Sequence, residues 1–171
     1  MIQRNKTSVI IFIFVNLLMA FEFIYFYPLL PDKMATHFNF SGNADGWAGK
    51  TPFFMIFVFI YFISIGSMLL LSFFINKIPN SMINLPNKDK LLAPERREVT
   101  LSYISKFLID LASLTALLFI FLNYFVFVTN INNKHSLPLN AMYVVGLFVI
   151  LVFILVYKMF IRLKDSKLKG I

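Results

Sequence analysis

No cysteine occurs among the 171 residues, which excludes a disulfide framework, a thiolate metal site and a cysteine nucleophile. Charge is scarce too. Asp, Glu, Lys and Arg make up 14% of the chain, against roughly a quarter in soluble domains. Only 8 residues are acidic and 2 are histidine, so few groups remain for acid–base or metal chemistry. No HExxH, GxSxG, GxGxxG or P-loop pattern is present. The chain has neither an internal repeat nor a low-complexity tail.

What it has instead is apolar surface: 59% hydrophobic residues, 22 of them phenylalanine, and a mean hydropathy of +0.78. That is more than one soluble core of this length can bury, and it comes in runs of the length that crosses a bilayer, about 20 residues. The sequence therefore predicts an all-α integral membrane protein: a single domain over residues 1–171 in which four helices bundle, with spans near 7–30, 53–76, 107–129 and 141–162. The first run resembles a signal peptide but is too long and has no small-x-small cleavage pattern after it, so an uncleaved span is expected. Pro94 suits the first position of a helix, where its missing N–H costs nothing. A helical pattern from there to residue 129 would measure about 54 Å, longer than the hydrocarbon core, so its first turns are expected in water and bilayer entry near Phe107.

The cations decide orientation. All of the 16 except Lys33, Lys50 and Lys134 fall on the side of the two termini and of the 77–98 connection. By the positive-inside rule that side is cytoplasmic, and the loop over residues 28–52 is extracytoplasmic together with His37 and His135. The net charge of +8 flanks apolar runs and forms no stripe interleaved with exposed aromatics, so it points to the lipid bilayer and not to nucleic acid. Tyr25, Tyr27, Trp47, Tyr124 and Tyr143 fall near the outer boundary, with Tyr103 and Tyr157 near the inner one, as amphipathic rings prefer.

Residues 28–52 form the one long polar interval in the first half. Pro28, Pro31, Gly42, Gly46 and Gly49 punctuate it, and Asn43 and Asp45 tolerate tight turns, so a structured loop is expected there. Counting helical rise puts Glu22 and Asn123 at one depth, in the outer third beneath this loop. An ionisable residue at membrane depth is a functional candidate, and Glu22 is also placed to anchor the loop through Lys33, Lys50 or a loop amide. The candidate ligand-binding residues are thus Glu22, Asp32, His37, Asn39, Asp45, Lys50 and Asn123. His37, His135, Glu22 and Asp45 are the groups that would supply nitrogen and oxygen ligands to a metal, although their spacing is not diagnostic. No cofactor and no catalytic residue is assigned.

Elsewhere the polar groups read as structural. Lys106 and Asp110 stand one turn apart, where they neutralise each other. Ser64, Gly66 and Ser67 in the second span, and Ala112, Ser113 and Ala116 in the third, give small faces on which helices of one bundle can pack closely. The segment Pro94, Glu95, Arg96, Arg97 alternates charge and is expected as a solvated, self-neutralised helix start that faces lipid head groups.

Leu30, Pro31, Asp32, His37, Phe38, Asn39, Gly42, Asp45 and Lys50 together resemble the outer-loop motif of the bacterial membrane family that includes the Sdp immunity protein. Pro86, Asn87, Lys88, Pro94, Glu95, Arg96 and Arg97 resemble a cytoplasmic motif of short members of that family, with Lys90 and Leu91 in place of a common aromatic pair. The resemblance spans about residues 25–105. It implies a domain without an assigned biochemical role, used in immunity or signalling. The leading expectation is therefore a non-enzymatic bacterial cell-membrane protein that recognises a membrane-active peptide or similar ligand through the outer loop and a pocket beneath it. Two others stand beside it: a metal-dependent membrane enzyme built on Glu22 and His37, and an accessory subunit of a transporter that packs on a membrane-protein partner.

The absence of native cysteine makes orientation directly measurable. Single cysteines at Ser41 and Ser136 are expected to react with an impermeant maleimide in intact cells, and one at Ser81 is not; labelling at Ser81 would reverse the orientation.

Overall fold

The apolar runs become helices, joined by a hairpin at one end and a compact connection at the other. The computed structural model describes residues 5–164. The order is α1 (Lys6–Phe26), a single 3₁₀ turn (Tyr27–Leu29), β1 (Lys33–Phe38), β2 (Ala44–Gly49), α2 (Lys50–Phe74), α3 (Lys88–Leu91), α4 (Pro94–Ile131) and α5 (Asn140–Lys164). Four helices, all but the short α3, are long and apolar enough to cross a membrane. The chain is a multi-pass membrane protein, mostly helical with one small sheet.

Two helix boundaries and the form of the loop between them differ from the sequence expectation. The first span stops at Phe26, and Pro28 sits in the 3₁₀ turn that follows. The second begins at Lys50, so Pro52 lies in its first turn, where backbone N–H groups have no intrahelical partner and a proline removes no bond. The structured loop proves to be an antiparallel β-hairpin; Ala, Asp and Gly fill much of β2 and are poor strand formers, so pattern reading saw only turns. Pro94 does open α4, which runs 38 residues without a break.

α4 is the hub on which α1, α2 and α5 each pack. Ala112 and Ala116 are fully buried and join Val15 of α1 and Ile65 of α2 in one cluster. Against lipid tails there is no hydrophobic drive between helices, so close approach over small side chains and the dispersion it yields supply the attraction. The expected small face of α2 behaves otherwise. Ile65 makes the contact, while an added Cβ at Gly66 would meet nothing within 4 Å and the Ser67 hydroxyl donates back to the Ser64 carbonyl.

Polar side chains cross-link the bundle in its interior. The Tyr61 hydroxyl donates to Asn16 Oδ1 at 2.6 Å, tying α2 to α1, and the Ser72 hydroxyl bonds both the hydroxyl and the carbonyl oxygen of Ser105. Asn5 donates to the same Ser105 hydroxyl. Near the end away from the hairpin a second cluster forms from Ile75, Ile83, Leu92 and Leu101, where the 75–92 connection folds against the first turns of α4. Arg97 fixes that connection: its guanidinium donates to Asn80 Oδ1 and to the carbonyls of Asn76 and Ile78. The expected solvated helix start is in this respect a clasp, because the guanidinium collects carbonyl and amide oxygens from successive turns of the connection.

The packing roles give opposite expectations for two small residues. Ala116→Leu should destabilise the bundle by about 1–3 kcal/mol through overpacking, whereas Gly66→Ala should be neutral or stabilising by up to about 1 kcal/mol through helix propensity. Unfolding of the purified protein in mixed micelles by SDS titration measures both, and equal losses would show that the small face of α4 is not the tight contact.

Candidate functional site

The hairpin gathers most of the candidate residues. Its turn is built by Asn39, whose Oδ1 accepts from the backbone N–H groups of Ser41 and Asn43, both at 3.0 Å. Gly42 completes the reversal at φ +79°, a left-handed conformation that side-chain-bearing residues avoid. Beyond the turn the strands pair with shifts in register on either side of His37. Gly46 faces His37 there, and a Cβ at Gly46 would lie 2.9 Å from that of His37. The missing side chain lets the imidazole lie along the strand and reach Asp45, with Nδ1 2.5 Å from Oδ1. Both groups are exposed.

At the base of the hairpin Lys50 closes a second pair. Its Nζ lies 3.3 Å from Asp32 and donates to the Leu30 carbonyl, while its backbone N–H donates to the Asp32 carbonyl. Asp32 is almost fully exposed, so this bond contributes little energy and mainly fixes where the chain turns into α2. The same ammonium sits 5.7 Å from the Tyr27 ring, a cation–π contact that adds to the clasp.

What holds the hairpin to the helices is a residue the sequence reading passed over. Asn130, in the last turn of α4, is buried; its Oδ1 accepts from the Ala35 N–H at 2.6 Å and its Nδ2 donates to the Ala35 carbonyl at 2.9 Å. One side-chain amide thus satisfies both main-chain groups of a strand residue, as a neighbouring strand would. The α4–α5 loop adds a further tie: Ala44 N–H donates to the His135 carbonyl and Leu137 N–H to that of Gly42. Reading ended the third span at residue 129 and gave Asn130 to a loop. Only the presence of a strand needing a partner marks it as special.

Beneath the hairpin lies an apolar layer of Leu30, Met34 and Phe127, surrounded by Phe23, Phe26, Tyr27 and Phe53. Phe127 and Phe23 meet edge to face at 5.3 Å, an arrangement favoured by the ring quadrupoles. Glu22 and Asn123 are both buried there. Asn123 donates to the Met19 sulfur at 3.9 Å, and neither carboxyl oxygen of Glu22 has a hydrogen-bond partner among the described residues. The expectation that Glu22 anchors the loop is therefore corrected: Asn130 does so.

The metal candidates do not converge. Glu22 belongs to the helical layer, while His37 and Asp45 pair on the exposed strands and His135 contributes a main-chain carbonyl. Among the described residues no three His, Asp or Glu groups come close enough to hold an ion.

Replacing Asn130 with Ala should leave the Ala35 N–H and carbonyl unsatisfied, at a cost of about 1–3 kcal/mol for each buried group. The Ala35 amide should then exchange with deuterium faster and protease should cut between residues 33 and 49 sooner. Glu22→Gln should change neither. Unaltered exchange in Asn130→Ala would remove the tether.

Residues 11–62 match the model of the family described as Domain of unknown function (DUF1648), which here covers most of α1, the hairpin and the first half of α2. No curated protein and no solved structure matches the chain. The matched segment contains the residues from Leu30 to Lys50, and its description assigns no activity.

Proposed function

We propose that the protein is a non-enzymatic membrane protein of immunity or sensing type, whose hairpin faces outward and recognises a membrane-active peptide or a similar ligand. Charge supports the orientation, since among the described residues Lys33, Lys50 and Lys134 are the cations at the hairpin end and the others lie toward the opposite end. The observation that carries the reading is the exposed face of a rigidly tethered hairpin. Phe40 at the turn is 98% exposed and Trp47 is 50% exposed, beside the His37–Asp45 pair. Large exposed rings, one on the turn and one on β2, offer apolar area to a partner. Asp32 and Asp45 favour a cationic one.

The ligand then meets the strand face, because packed aromatic rings fill the layer below it. Asn39 and Lys50 act in this reading by shaping the hairpin; His37, Asp45, Phe40 and Trp47 make the contact. The open small-residue face of α2 around Gly66 favours a second reading, an accessory subunit that receives a helix of another membrane protein. The metalloenzyme reading has no comparable support.

Trp47 is the only tryptophan and serves as the reporter. Peptides from the producing strain's own culture medium, added to the protein in nanodiscs, should shift its emission to the blue. Cells lacking the gene should become more sensitive to those peptides. A paired substitution, Phe40→Ala with Asp45→Asn, should abolish both effects without lowering the amount of protein in the membrane. Equal sensitivity with and without the gene would remove the immunity reading.

A further inference from the structure

Away from the hairpin, α4 and α5 separate around a cleft of about 280 Å³. Lys106, Lys158 and Arg162 line it with a single carboxylate, Asp110, and Leu155 and Met159 form an apolar side. Lys106 is already bonded to Asp110 at 2.5 Å. Lys158 and Arg162 have no acidic partner among the described residues, so three cations face one carboxylate in the lining of the cleft. Around α5 a second cleft, of about 110 Å³, is lined by Lys90, Arg96 and Lys164 and extends the same positive field.

We propose that the α4–α5 cleft binds the phosphate of an anionic phospholipid. Depth is the first reason. Lys158 lies 18 residues, about 27 Å of helix, from the start of α5 at Asn140, and Lys106 about 37 Å from the end of α4. A hydrocarbon core of about 30 Å therefore ends at the cleft, where head groups begin. Shape is the second: the opening lies between two helices that face lipid, so a lipid can place its phosphate among the cations and its glycerol and upper acyl carbons along Leu155 and Met159. Chemistry is the third. The Arg162 guanidinium rests 5.8 Å from the Tyr103 ring, which limits its rotation, and its planar fork suits two phosphate oxygens at once. Asp110 holds Lys106 at the rim and sets the net charge that the ligand meets.

The test uses the full chain in nanodiscs and reads thermal unfolding against the mole fraction of phosphatidylglycerol in phosphatidylcholine. Phosphatidylglycerol should raise the midpoint in a saturable way, and phosphatidylcholine alone or millimolar inorganic phosphate should not. Lys158→Gln and Arg162→Gln should each raise the half-effective fraction about fivefold, the effect of one cation near a charged surface. Asp110→Asn should lower it, a gain that a misfolded variant does not give. Lys134→Gln, at the hairpin end, should leave it unchanged. An equal effect of Lys134→Gln would reduce the site to general surface charge, and an equal response to inorganic phosphate would make it a free-anion site; either result overturns the proposal, as does a phosphatidylglycerol response that Lys158→Gln and Arg162→Gln both leave intact.

Discussion

Everything else in the structure depends on α4 presenting a different surface at each level of its length. In its middle the fully buried Ala112 and Ala116 let α1 and α2 come close. Its first turns contribute Val99 and Leu101, both buried, near the 75–92 connection, and its last turn turns Asn130 toward the hairpin. These contacts use different physics. Burial from water stabilises the connection at roughly 25 cal/mol per Å² of apolar surface, but that force is absent between helices bathed in lipid, where fit and hydrogen bonds do the work. A small side chain at a mid-helix position of α4 is therefore as consequential as a large one near its start.

The helical part of this arrangement is readable from residue order. Run length and hydropathy give four spans, and Pro94 gives the start of α4 because a proline can occupy a first turn at no cost. The same property hides the start of α2. Pro52 looks like a boundary and is inside the helix, since the first turn tolerates proline at more than one position. The hairpin is less readable for a different reason. Its strands are stabilised by partners distant in sequence, Asn130 for β1 and residues 135–137 for the turn side, and local propensity carries no record of them.

The candidate residues divide on the same principle. Gly42 and Gly46 stand out because turns demand particular backbone conformations, and they do supply the reversal and the space for His37; Asn39, expected as a ligand contact, builds the turn instead. Asp45 is expected from the sequence as a turn residue and a candidate ligand, and the register of the strands pairs it with His37. Glu22 attracted attention through its charge, yet the bond that matters at its end of the bundle belongs to a neutral amide. A side-chain amide offers a donor and an acceptor a few ångströms apart and so can complete both groups of one strand residue. A carboxylate, with acceptors alone, has no such match.

The two ends of the molecule are consequently independent in their chemistry although one helix carries both. At the hairpin, charges are few and both of its carboxylates are locally paired: Asp45 meets His37 and Asp32 meets Lys50. The exposed rings of Phe40 and Trp47 stand out on that surface, and attraction through apolar area is screened little by salt. At the other end cations outnumber carboxylates along both clefts, and the reach of their field shortens as ionic strength rises and the Debye length falls toward the width of the cleft. Salt therefore acts unequally on the two surfaces without altering a single residue: it screens the field of the cations along the α4–α5 cleft and leaves the apolar rings of Phe40 and Trp47 little affected.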